Sequence, residues 1–183
     1  MNSPERTLLS IVLECGAANC AALPQGSIRY DRVFREICAG NACGNYGKCY
    51  MCPPDIGPIE ALMERAQRYP RAILYQTIHS ISDSFDLEGM FAGGRAHSAI
   101  ALRIEHALRD GGLSGYLHLG GENCGVCERC AKRDGLVCRS PEWAMPSLEA
   151  YGVYVAQTAM NAGLRYCNGA NTVTFFGMIL FSE

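Results

Sequence analysis

Three cysteines stand at a stride of three in "CGVCERCAKRDGLVC", at Cys124, Cys127 and Cys130, and Cys138 follows after seven more residues. Thiolates are soft ligands that favour zinc, copper(I) and iron–sulfur centres. A four-cysteine zinc site is usually built from two separated C-x2-C pairs, which leaves no natural place for a third cysteine at the same interval. Iron–sulfur ligation does use that stride: the bacterial ferredoxin run opens C-x2-C-x2-C and wraps one cubane with those three thiolates. Cys138 lies further out, with Pro141 three residues beyond it, so a longer arm can return it to the same cluster. Arg129, Lys132, Arg133 and Arg139 surround the motif and offset the charge of a four-thiolate centre. Zinc is the alternative occupant. A chance set of buried thiols is the bland one.

A second set precedes it. "CAGNACGNYGKCYMC" carries Cys38, Cys43, Cys49 and Cys52, with four, five and two residues between them. That spacing matches no ferredoxin pattern in full, and alone it is weaker evidence for a metal. Unrelated thiols seldom fall four and four, so each set strengthens the other. The reading is eight cysteine ligands and two [4Fe–4S] clusters, with zinc as the alternative cofactor.

The pair "CAGNACGNYGKCYMCPPDIG" and "CGVCERCAKRDGLVCRSPEWAMPSLEAYGVYV" resembles the family of predicted metal-binding proteins known as domain of unknown function 2284. The likeness runs from the "FREIC" lead-in to the "FFGMILF" tail. It implies a cysteine-bound metal, with iron–sulfur the leading form, and no assured reaction. It carries over to Cys38, Cys43 and Cys52 and to all four cysteines of the second set. Cys49 departs from the family pattern, so the first centre has either a fourth thiolate or an open position.

The rest of the chain must position these residues. At 183 residues and 49% apolar content, it is long enough to bury a real core without disulfide staples. It reads as a single domain, 1–183, with cysteine loops at 38–57 and 122–141. The net charge of −2 gives no basic footprint for nucleic acid. Eleven cysteines are an odd number and fit a complete disulfide framework poorly. "TLLSIVL" meets Glu14 at once and reads as an amphipathic helix rather than a secretion signal. No apolar run approaches the roughly 20 residues of a membrane span. These features point to a reducing cytoplasm, where grouped thiols mean metal or catalysis.

Ser3 and Pro4 open a first helix, "SPERTLLSIVLECGAA". A short strand or turn leads into a helical piece that delivers Cys38. Residues 39–57 are too rich in Gly, Asn and Pro for regular structure. "PIEALMERAQRY" is a helix with Ile59, Leu62, Met63 and Ala66 on one face, ended by Pro70. "RAILYQTIHSI" and "GYLHLGG" read as strands around a long helix, "FAGGRAHSAIALRIEHALRDGG". Ser147 caps a further helix over 147–163, and "NTVTFFGMILF" is a central strand. The fold class is α+β or α/β: a three- to four-stranded sheet covered by helices and interrupted by two cysteine-rich loops.

Other candidates are weaker. Cys15, Cys20 and Cys167 read as small buried hydrophobes. His79, His97 and His106 read as packed or surface groups, and His118 gains interest from its place before the second motif. Glu149 reads as a first-turn residue favoured by the helix dipole. No strand–GxGxxG–helix unit marks a nucleotide site. The expected function is a cytoplasmic iron–sulfur protein that transfers electrons or serves as a redox accessory to a protein partner. A reductase or activator with an open iron site is the enzyme alternative, and a zinc-structured binding module is the third.

Overall fold

The structure is a computed structural model and describes residues 4–121 and 123–182. Four strands form one sheet in the order β1-β2-β4-β3. They are β1 (Asn19–Pro24), β2 (Arg71–Ser80), β3 (Tyr116–Leu119) and β4 (Thr172–Phe181). Every ladder between them is antiparallel, so the fold is α+β rather than α/β. Ten residue pairs, from Arg71↔Phe181 to Ser80↔Thr172, join β2 to β4. As expected for "NTVTFFGMILF", β4 is flanked on both sides.

Period-two alternation sends β2 and β4 side chains to opposite faces, and helices cover both. Ala72, Leu74, Phe176, Met178 and Leu180 face α3 (Ile59–Gln67) and α5 (Val155–Asn161). Ile73, Tyr75, Ile179 and Phe181 face α1 (Pro4–Glu14) and α4 (Leu87–Asp110). Two covered faces explain why these strands read as nearly unbroken apolar runs. Burying each Leu or Ile here contributes about 1.5–3 kcal/mol.

Helical periodicity sets the helix contacts. Leu8 and Val12 bury one side of α1, and Ile59, Leu62 and Ala66 one side of α3. Helix α4 starts earlier than its apolar pattern suggests, because Asp86 caps it and accepts the Gly89 N–H at 2.8 Å. Ser3, the anticipated cap of α1, lies outside the described residues.

Two elements differ from the sequence reading. Strand β1 was not anticipated: "NCAALP" is short, small-residue-rich and at the sheet edge, where neither alternation nor β-branching marks it. The helix expected over 147–163 is broken. Glu149–Tyr151 form a 3-10 turn, Gly152 adopts φ +73°, and only Val155–Asn161 is α-helical. A Cβ at Gly152 would lie 3.0 Å from the Met63 side chain and 3.2 Å from the Asp31 carbonyl, so both the space and the left-handed backbone favour glycine at the break. Ser147 does cap the turn, accepting the Ala150 N–H at 3.1 Å.

Candidate metal centre

Both cysteine-rich segments are loops at the ends of regular elements. Helix α2 (Val33–Ala39) delivers Cys38, and the chain then runs through turns to the start of α3. Arg35 ties α2 to the end of this loop, donating to the Gly57 carbonyl at 2.8 Å. Within the loop the Gly47 N–H bonds the Pro53 carbonyl at 2.8 Å and the Cys52 N–H bonds the Cys49 carbonyl at 3.0 Å. Cys43 is exposed, whereas Cys49 and Cys52 are only 4% and 8% exposed. The second loop leaves β3 at Gly120, which pairs with Ser147, and carries Cys124, Cys127, Cys130 and Cys138, all partly buried.

Far apart in sequence, the loops pack together. Tyr50 donates its hydroxyl to the Leu136 carbonyl at 3.0 Å, and Lys132 pairs with Asp55 at 2.5 Å. Arg133 donates to the Gly44 carbonyl at 3.2 Å and to Asn45 Oδ1 at 2.9 Å. Of the basic residues expected to offset thiolate charge, Arg129, Arg133 and Arg139 line the cavity between the loops, while Lys132 joins them through Asp55.

That cavity holds about 590 Å³, and Cys49, Cys124, Cys127, Cys130 and Cys138 all face it. Cys49 therefore meets the second motif as well as its own. A hydrogen bond from the Cys52 thiol lowers the Cys49 thiol against the opposing effect of burial. The N–H groups of Met51 and Cys124 and the Cys130 thiol add to the lowering. Cys52 is pushed up by the same bond to Cys49, by burial, and by the neighbouring Cys49, Cys43 and Cys38. Cys38 is raised by burial, with Arg35 opposing and Cys43 and Glu149 adding. Burial also raises Cys124, against the N–H groups of Val126 and Met145. Thus Cys38, Cys43 and Cys52 act on one another, and Cys49 bridges them to the second set.

Five of the eight expected ligands, Cys49, Cys124, Cys127, Cys130 and Cys138, gather on one cavity, whereas Cys38, Cys43 and Cys52 do not line it. The gathered thiols are soft donors that suit a metal or cluster. Among the described residues, no three His, Cys, Asp or Glu side chains converge on one point as ligands of a single ion.

The remaining candidates lie elsewhere. Cys15 and Cys20 pack against the α1–α4 core, and the Cys20 thiol donates to the Leu9 carbonyl at 3.8 Å. Cys167 is exposed before β4. His106 lies tilted against Trp143 with centroids 4.1 Å apart. His79 and His97 both bond the Thr77 hydroxyl, each at 2.9 Å. Among the described residues the buried Nε2 of His97 has no hydrogen-bond partner, and a Cβ at Gly121 would lie only 2.4 Å from its ring. His97 thus packs directly against the turn that opens the second cysteine loop.

Sequence reasoning missed a buried polar network beneath α4. Glu105, 5% exposed, takes His118 Nδ1 at 3.0 Å, Arg109 Nε at 2.8 Å and the Tyr116 hydroxyl at 3.0 Å. His118 Nε2 meets the Tyr75 hydroxyl at 2.8 Å. Burial pushes Glu105 upward, but these three hydrogen-bonding partners outweigh it and hold the carboxyl at about 2. The signal was present: Glu105 falls between Ile104 and Leu108 on the buried stripe of α4.

No curated protein and no solved structure matches the chain. The family model described as "Predicted metal-binding protein (DUF2284)" matches residues 21–181, which spans both cysteine loops and all four strands but the first two residues of β1. On that match, and with the thiols gathered as they are, the chain belongs to this family of predicted metal-binding proteins.

Proposed function

We propose that the two loops hold iron–sulfur clusters and that the protein transfers electrons or serves as a redox accessory in a reducing cytoplasm. The observation that carries this reading is the cavity of about 590 Å³ faced by five cysteines from both loops. One zinc ion with sulfur ligands at about 2.3 Å needs far less space. The Cys124, Cys127, Cys130 stride also suits a cubane better than paired zinc ligands.

In this reading Cys124, Cys127, Cys130 and Cys138 hold one [4Fe–4S] cluster. Cys38, Cys43 and Cys52 hold the other, with Cys49 as its fourth ligand on the side that faces the first. Such a centre supplies one-electron chemistry tuned by burial, charge and hydrogen bonds to sulfur. The chain supplies the arginines on the cavity wall and the close contact of the loops, which suits passage of electrons between two centres and on to a protein partner.

Anaerobic purification tests the proposal. Brown protein with broad absorbance near ~400 nm and acid-labile sulfide is the expected result. Colourless protein with stoichiometric zinc and no sulfide sinks it and leaves a zinc-structured module.

A further inference from the structure

A second cavity, of about 500 Å³, lies against the cysteine-lined one, and Tyr50, Met51 and Ala144 face both. Its walls carry more polar than apolar surface, with the apolar side chains Ile56, Leu62, Leu117, Trp143 and Met145 among them. Six ionisable side chains also line it: Asp55, Arg65, Glu105, Arg109, His118 and Glu142. Most of its charges are already paired: Arg109 with Glu105, and Asp55 with Lys132. Glu142 sits exposed at the rim, and its carbonyl accepts from Arg109.

Arg65 and the Glu142 carboxylate are the exceptions, and Arg65 is the cation of the two. Among the described residues it has no carboxylate partner. Its Nη1 donates to the Tyr151 hydroxyl at 3.2 Å. Tyr151 is 1% exposed yet faces this cavity. Because its oxygen accepts from Arg65, its own hydroxyl proton is left to bond something else. Burial pushes Tyr151 up against the lowering effect of Arg65, so the phenol keeps that proton. A guanidinium and a phenol O–H side by side make a two-donor cradle for a carboxylate.

The geometry points to this cavity as the binding site for a small organic carboxylate with an apolar or aromatic body. Its carboxylate sits on Arg65 and Tyr151, and its body lies toward the wall shared with the cysteine cavity. This deepens the metal-centre reading by naming a substrate class for it, and only the purpose of binding, not the binding itself, rests on that reading.

The test is calorimetric titration of the full-length, anaerobically purified, metal-loaded protein with benzoate, and with benzamide as the uncharged control. Benzoate should bind at one saturable site, about tenfold or more tighter than benzamide, as loss of a charge-assisted contact implies. Arg65→Gln, at an exposed position, should weaken benzoate about tenfold and leave benzamide unchanged. Tyr151→Phe keeps the ring and should weaken benzoate severalfold. No saturable benzoate binding, equal affinity for benzoate and benzamide, or unchanged benzoate binding in Arg65→Gln overturns the proposal. Iron and sulfide analysis of the same sample reports on the metal proposal separately.

Discussion

Cys49 carries the sharpest residue-scale consequence, because it touches Cys52 of its own loop and Cys130 of the other. If Cys49 is the fourth ligand of the proposed first cluster, its removal leaves three thiolates there. Cys49→Ala should therefore lose or convert one cluster, read as lower iron and sulfide content with the spectrum of the other retained. Cys127→Ala is the comparison and should damage the second cluster. Full iron and sulfide in Cys49→Ala would assign Cys49 to packing and leave an open position in the first centre. Glu105 makes a different prediction. Its folded carboxyl lies at about 2 against an ordinary value of 4.5. A depressed acid contributes stability above its unfolded pKa and loses it as pH falls through the folded one. Glu105→Gln should cost about 3 kcal/mol at pH 7, since it breaks a buried charged network. The difference between wild type and variant should shrink as pH falls from about 4.5 toward 2. A pH-independent difference in denaturant titrations would contradict the assignment.

At the scale of elements, the turn from β3 into the second cysteine loop depends on close approach to α4. A Cβ at Gly121 would come within 2.4 Å of the buried His97 ring, which has no room to retreat. Gly121→Ala should destabilise the protein by about 1–3 kcal/mol, the range for overpacking, and lower the metal content of the second loop. Unchanged stability and metal content would mean that the turn is not positioned by His97. The elements also mark where the sequence was legible. Strands β2 and β4 and helices α3 and α4 announced themselves by period and by Pro and Gly boundaries. Strand β1 carried only small residues and an edge position. The break falls at Gly152, which caps the 3-10 turn in the left-handed conformation, a local signal overridden in the sequence reading by the apolar run on either side. Cysteine spacing exposed both motifs, yet it was silent on Cys49 facing the other loop. The Glu105–His118–Tyr75 network joins α4, β3 and β2, so its members look unrelated until the sheet assembles them.

At the scale of the whole molecule, the sheet and its two helical layers serve to hold two loops, distant in sequence, against each other. The contacts of Tyr50 with Leu136 and of Lys132 with Asp55 fix that approach. If each loop holds a cluster as proposed, contact between the loops should couple the two, so the fully reduced protein should give a spin-coupled paramagnetic resonance spectrum rather than two independent ones. Two unperturbed signals would favour separate roles over an internal relay. All of this stands on the identity of the bound metal. The most direct test is iron, zinc and acid-labile sulfide content of protein purified without oxygen. Two [4Fe–4S] centres predict about eight iron and about eight sulfide per chain. Stoichiometric zinc without iron or sulfide would contradict the account.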